Sequence, residues 1–234
     1  MTTSSQPLLR AKALTLSYGG GGRAFTAVTD VSLELGDRSF LAVVGPSGSG
    51  KSSLLYMLSG LRTPTGGSVR FRGQDYGRLG DAGVTALRRG QFGFIFQQHF
   101  LINYLGCVEN VLVGARPHDR GARARAISLL ERLGLGTKLR HRPYQLSVGE
   151  RQRVAVARAM VAEPAIIFAD EPTASLDQHT GREVIDLLGD YRRQGAVMVV
   201  THDLGMTAGC DQLLEMRDGA IRSPGRVPEA AGRR

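Results

Sequence analysis

Gly45, Pro46, Ser47, Gly48, Ser49, Gly50, Lys51 and Ser52 match the pattern G-x-x-x-x-G-K-[ST] at every fixed position. That pattern suits one kind of chemistry, a run of backbone N–H groups turned toward a phosphate chain. Gly48 and Gly50 let the backbone come close to the phosphates. Lys51 has the reach for the β- and γ-phosphates, and the Ser52 hydroxyl suits Mg²⁺. The preceding stretch Ser39–Val44 is apolar and strand-sized, and Ser53–Leu58 continues as a helix whose N-terminal dipole favours an anion. Strand, glycine-rich turn and helix together predict a nucleoside triphosphate site.

A second set of candidates follows. Ala165–Glu171 is an apolar strand ending in two acids, Asp170 and Glu171. In an open α/β sheet, ligands gather at the carboxyl ends of the strands, which is where these acids fall. Adjacent carboxylates repel unless a cation or polar partners offset them, so Asp170 is read as holding Mg²⁺, directly or through water. Glu171 is then available to orient or deprotonate an attacking water, a role worth about 10²–10⁴-fold in rate. A plain surface acid pair at a strand-to-loop boundary is the alternative. His202, after the strand that starts at Ala196, belongs to the same sheet edge, where a structural hydrogen bond and a catalytic role are both open. Gln97, just after Phe92–Phe96, either ligates Mg²⁺ or caps a turn. Ser147 and Glu150 have the S-x-x-E spacing of a capping box, which needs no ligand. The same helix start, with Ser147 and Gly149, also presents N–H donors suited to a phosphate. Beside an existing phosphate loop such an element is redundant, and it makes more sense serving the nucleotide of another copy.

The elements that must position these residues are legible in outline. Residues 8–18, 29–36 and 67–73 read as short alternating strands, broken by the Gly19–Gly22 loop and by the Pro64–Gly67 turn. Leu41–Val44, Phe92–Phe96, Ala165–Ala169 and Val197–Val200 are continuous apolar runs, as expected of parallel strands covered on both faces. Between the second and third of these lie helical segments, including Arg120–Leu133 and Glu150–Glu163, the latter stopped by Pro164. The expected fold is an α/β core, mostly parallel with an N-terminal antiparallel part, at about 1–96 and 164–222. A helical subdomain at about 97–163 is inserted in it, all one domain, and residues 223–234 read as a frayed tail.

Bulk properties narrow the class. At 234 residues, against about 150 per domain, the chain suits one large domain or two lobes. Its 42% hydrophobic and 22% charged residues are globular in type. The apolar runs fall far short of the roughly 18 residues of a membrane span. The N-terminus lacks the basic-then-apolar order of a signal peptide, which places the chain on the cytoplasmic side. Cys107 and Cys210 form no metal or redox spacing and read as ordinary thiols. The net charge of +9 is almost wholly arginine, since only Lys12, Lys51 and Lys138 are lysines. The arginines are scattered with few aromatics among them, which favours a solvated basic surface over a nucleic-acid or lipid-binding block.

With these residues assembled, the chain resembles the ATP-binding subunit of an ABC transporter, from about Leu8 to Arg222 and with every motif in family order. The resemblance implies a P-loop NTPase core and a role for each match. Tyr18 would stack on adenine and Gly45–Ser52 would be the phosphate loop. Gln97 would link Mg²⁺ to a membrane subunit, Leu146–Glu150 would be the family signature, and Asp170 and Glu171 would be the magnesium acid and the base. Ser175–Asp177 would be the loop crossing the dimer interface and His202 the switch histidine. Two copies would sandwich two ATP molecules, Ser147 and Gly149 of one facing the phosphate loop of the other, and Asp177 lying at the interface. Gln98–Val113 would pass the motion to a separate permease. The wording around Gly93–Leu105, Pro64–Gly67 and Ala169–Asp177 is similar to the MacB/LolD group, which implies export or extraction from the membrane. A regulatory ATPase acting on a cell-envelope complex without moving a substrate needs the same parts. A nucleic-acid-associated relative does not fit, because the stretch from Lys51 to Leu146 holds no sustained heptads and the chain carries a single phosphate loop; no nucleic-acid partner is expected. The signature departs from the common family wording: it reads L-S-V-G-E, with Val148 and Glu150 in place of a glycine and a glutamine. The capping box would turn the Glu150 carboxylate back onto its own helix start.

Overall fold

The computed structural model describes residues 6–19 and 25–224. In chain order, β1 (Leu9–Tyr18) and β2 (Phe25–Leu35) are followed by β3 (Phe40–Val44), α1 (Lys51–Leu58), β4 (Gly66–Phe71), the short β5 (Gln74–Asp75), α2 (Tyr76–Gln91) and β6 (Phe92–Ile95). Then come α3 (Cys107–Leu112), α4 (Ala122–Arg132), 3-10 turns at Gly136–Lys138 and Pro143–Gln145, and α5 (Val148–Met160). The remaining described elements are β7 (Ile166–Asp170), α6 (Gln178–Tyr191), β8 (Ala196–Thr201), a 3-10 turn at Leu204–Thr207, β9 (Gln212–Arg217) and β10 (Ala220–Pro224). The chain divides into two compact units, one made of the residues up to Arg88 and from Val200, the other of Arg89–Val199.

In the first unit, an antiparallel sheet has the order β2-β1-β4-β5. Leu14, Leu16, Val28 and Val31 are buried, while Arg10 and Glu34, cross-strand partners on the exposed face, meet at 2.7 Å. This is the alternation that a half-solvated sheet requires. β3 is buried along its whole length and pairs in parallel with β9, Leu41 opposite Gln212 and Val44 opposite Glu215. Asp211 locks that pairing, accepting the Phe40 N–H at 2.8 Å and donating its own N–H to the Phe40 carbonyl at 2.8 Å. The turn between β9 and antiparallel β10 reaches the loop after β3: the Gly219 N–H donates to the Ser49 carbonyl at 3.1 Å, and the Gly219 carbonyl accepts from Thr29 at 2.8 Å.

In the second unit, β6 and β7 run parallel, Phe92 opposite Ile166 and Ile95 opposite Ala169. Helices α3, α4 and α5 pack on one another, and α5 packs on β6. The approach of α5 to β6 is close enough to demand glycine: a Cβ on Gly93 would lie 2.3 Å from the Ala159 carbonyl oxygen. Buried Asn110 organises the loop before α3. Its Oδ1 accepts from the Ile102 N–H at 2.7 Å, and its Nδ2 donates among the carbonyls of Ile102, Leu105 and Gly106.

The expected parallel strands all form, each within a residue or two of its apolar run. Two differences have physical causes. β2 begins at Phe25 rather than near residue 29, because cross-strand pairing with Tyr18 extends the hairpin past the last buried residue. α2 forms although Gly77, Gly80, Gly83 and Gly90 lower its helix propensity, and its backbone breaks at Gly80 (φ 63°, ψ 179°). The expected tail starts inside β10, which runs to Pro224; residues 225–234, and Gly20–Gly22 of the expected glycine loop, lie outside the described residues. Among the described residues no helix is long and apolar enough to cross a membrane.

Two glycine substitutions separate close packing from backbone entropy. Gly93→Ala is expected to cost about 2–4 kcal/mol of stability by driving α5 off β6. Gly90→Ala, where a Cβ meets nothing within 4 Å, is expected to be neutral or up to about 1 kcal/mol stabilising. Urea denaturation of both variants reads the difference.

Candidate functional site

The loop after β3 is shaped by what its glycines exclude. A Cβ on Gly50, whose φ is 98°, would fall 2.2 Å from the Ala27 carbonyl oxygen. At Gly48, exposed and at φ 81°, a Cβ would meet nothing within 4 Å, so it is the left-handed backbone that favours glycine there. Lys51 is buried, and its Nζ donates to the carbonyls of Gly45 at 2.8 Å and Pro46 at 3.0 Å. Those bonds hold the ammonium against its own loop. α1 starts at Gly50 with no side-chain cap and no acid in its first turn, where Ser52 and Ser53 stand. Its first N–H groups therefore lack acceptors within the helix, which favours an anion there. The buried Ser49 hydroxyl has no hydrogen-bond partner.

Two more expected residues belong to this unit. Tyr18, at the end of β1, is partly exposed and carries the Arg62 guanidinium 5.0 Å from its ring centroid. His202 is exposed just after β8. The turn presenting it is tied locally, by the Asp203 N–H to Thr201 Oγ1 at 3.1 Å and the Gly205 N–H to Asp203 Oδ1 at 2.8 Å.

The second unit gathers the other expected residues around α5. Asp170, 4% exposed, is the last residue of β7. Glu171 follows in a left-handed backbone conformation, φ 49°. Gln97 is exposed, two residues after the end of β6. Ser147 caps α5 as expected, its Oγ accepting the Glu150 N–H at 3.2 Å while Glu150 Oε2 accepts the Ser147 N–H at 2.9 Å. A Cβ on Gly149 would lie 3.1 Å from Leu176, so the signature start adjoins the loop Ser175–Asp177. Asp177 also acts locally. It caps α6 by accepting the Thr180 N–H at 3.0 Å, which holds its carboxyl below the usual range.

What joins these segments is a residue that no motif in the sequence singles out. Gln152 is 1% exposed. Its Nε2 donates to the Pro172 carbonyl at 3.0 Å and, more weakly, to that of Phe96 at 3.4 Å, and its Oε1 lies 2.7 Å from His99 Nδ1. Arg158, on the same helix, donates to the carbonyls of Phe100 at 2.6 Å and His99 at 2.7 Å. The segment after Gln97 and the one after Glu171 are thus tied to one helix. An apolar-patterned helix hides such roles, because neither residue has a partner nearby in sequence.

The model of the ABC transporter family matches residues 28–174. The chain belongs to that family. This ABC cassette is 42% identical to the lipoprotein-releasing system ATP-binding protein LolD of Alcanivorax borkumensis, over 94% of this chain and 98% of that one. It is 43% identical to the macrolide export ATP-binding/permease protein MacB 1/2 of Paracoccus denitrificans, over 94% of this chain but 34% of that one. The cassette therefore spans about a third of the MacB relatives' length and nearly all of the LolD relatives'. A solved dimeric, post-hydrolysis structure of the ATP-binding cassette MJ0796 bound to ADP and Pi superposes with a TM-score of 0.86 at 34% identity, over 95% of this chain and 100% of that one. The α/β fold with antiparallel and parallel sheets is that of an ABC ATPase cassette.

The residues fit the ATP and Mg²⁺ of the family. A helix start without a side-chain cap and a buried Ser49 hydroxyl without a hydrogen-bond partner are what a phosphate chain would complete. Among the described residues no group of three or more His, Cys, Asp or Glu is arranged to hold a metal ion.

Two substitutions test this architecture. The Lys138 ammonium first, and the Ser147 N–H second, hold the Glu150 carboxyl below the usual carboxylate range. Its stabilising contribution is complete above the unfolded value of about 4.3 and fades as pH falls through the lower folded value. Glu150→Gln is therefore expected to be less stable at neutral pH, with the gap closing in acid, while ATPase activity stays within a few-fold; urea curves across pH and a steady-state assay read both. Gln152→Leu keeps the volume but strips the Pro172 and Phe96 carbonyls of their donor. It is expected to cost about 1–3 kcal/mol of stability and to lower kcat more than ATP affinity, read by calorimetry and steady-state kinetics.

Proposed function

We propose that this cassette is the ATP-binding and ATP-hydrolysing subunit of an export or membrane-extraction system of the MacB/LolD kind, acting at the cytoplasmic face of the membrane through a separate permease. The observation that carries the reading is the loop after β3, where Lys51 lies buried against the Gly45 and Pro46 carbonyls at the uncapped start of α1. Near full-length similarity to LolD supports the subgroup. Similarity to the ATP-binding part of MacB, whose name joins ATP-binding and permease functions, supports coupling to a permease.

In this reading Tyr18 stacks on adenine with the ring face opposite Arg62. The N–H groups of Gly48–Ser53 and the Lys51 ammonium bind the β- and γ-phosphates. Ser52, Gln97 and Asp170 would hold Mg²⁺, which would neutralise charge on the phosphate oxygens. Glu171 accepts a proton from water as the water oxygen bonds to the γ-phosphorus and ADP departs with the bond between them broken. His202 orients the γ-phosphate. Ser147 and Gly149 of a second copy close the site from the other side, with Asp177 at the interface, as two-fold assembly requires; the dimeric state of MJ0796 supports this. Gln98–Val113 carries the change to the permease.

Glu171→Gln is expected to lower kcat by about 10²-fold or more while keeping ATP affinity, and to accumulate an ATP-dependent dimer on size exclusion. Trapped with ATP in native membranes, the variant is expected to retain a permease. Recovery of nucleic acid or ribosomes with no membrane protein would sink the transport reading.

A further inference from the structure

Lys138 is one of only three lysines in the chain, and another, Lys51, sits in the phosphate loop. Its Nζ donates to Glu150 Oε1 at 2.5 Å, an ion pair in which the Glu150 side chain is only 15% exposed. Backbone bonds fix its place. The Lys138 N–H donates to the Leu135 carbonyl at 2.9 Å, the Lys138 carbonyl accepts from His141 at 2.9 Å, and the Leu139 carbonyl accepts from Val108 of α3 at 3.1 Å. The neighbouring cation Arg151 does not substitute for it, since its guanidinium is turned to the carbonyls of Pro143 and Leu146.

The pairing answers a problem set by the signature's own wording. A carboxylate in the first turn of α5 stands where a second copy would bring the γ-phosphate of its nucleotide, and like charges at that range oppose closure. The capping box turns Glu150 Oε2 onto the Ser147 N–H but leaves the charge in place. Lys138 offsets it from the other side, on Oε1. The Ser147 hydroxyl, which accepts from Glu150, keeps its proton to donate, and the N–H groups of Val148 and Gly149, in the exposed first turn of α5, have no acceptor inside the helix. We propose that Lys138 is a positioning residue for ATP-driven dimer closure: by pairing with Glu150 it cancels the carboxylate's charge and holds it off the signature, so that the α5 start meets the partner copy's phosphate with donors alone. The proposal rests on the ATP-sandwich reading above.

The test uses the full chain with Glu171→Gln for dimerisation and the otherwise native chain for kinetics. Lys138→Met is expected to raise the ATP concentration for half-maximal dimerisation, and KM with it, by about tenfold, with kcat changed little. Adding Glu150→Gln to Lys138→Met is expected to restore both to within about twofold of the parent, and Lys138→Arg to retain them. A lost turn contact alone would leave the double variant as impaired as the single one. Lys138→Gln, which keeps a donor, replaces Lys138→Met if the latter is poorly folded. No change in Lys138→Met, or no rescue by Glu150→Gln, overturns the proposal while a dimerising parent leaves the sandwich reading intact. A parent that neither dimerises with ATP nor hydrolyses it overturns both.

Discussion

Burying an ammonium group beneath a glycine-rich loop is the constraint on which the first unit is built. Lys51 is 6% exposed, and removing such a charge from water is unfavourable unless oxygen atoms surround it. The Gly45 and Pro46 carbonyls supply them only because the chain doubles back at the end of β3. That reversal needs neighbours that leave no room for side chains, the Ala27 carbonyl at Gly50 and the Met216 carbonyl at Gly45. It also needs β3 held in register, which Asp211 does at one end and the Gly219 turn at the other. The antiparallel hairpin and β9 are therefore parts of the loop's geometry as well as of the core.

The second unit is organised differently, with separate segments tied to one helix. α5 carries Ser147 and Gly149 at its start, and Gln152 and Arg158 along its length. Through the latter two it holds the backbone after Gln97 and after Glu171. A buried amide with three partners is a stringent link, because displacing any of them strands a polar group in an apolar setting. The two segments are therefore anchored to the same helix.

The signature shows how a departure in wording can be absorbed. Val148 is 47% exposed, so its side chain is not packed into the interior of its own unit. Glu150 is bound on both oxygens, one by the cap and one by Lys138. The acid is thus made into a structural part of the helix start, and its charge is cancelled within the same unit.

Features whose physics is local are legible in the chain before it folds. Gly45–Ser52 announces its chemistry because a phosphate loop is a short run of backbone geometry. The S-x-x-E cap is legible because both bonds close within one turn. The buried strands are legible because continuous burial needs continuous apolarity. α2 is hidden because its glycines mask the helical signal, and the resemblance assigns Asp177 to an interface without disclosing its N-cap bond. Contacts between residues distant in the chain are fixed only on folding: Lys138 with Glu150, Gln152 with Phe96 and Pro172, Arg62 with Tyr18, Gly219 with Ser49. Each depends on the register and separation of whole elements, set by the packing of every residue between them, and no spacing along the chain encodes that.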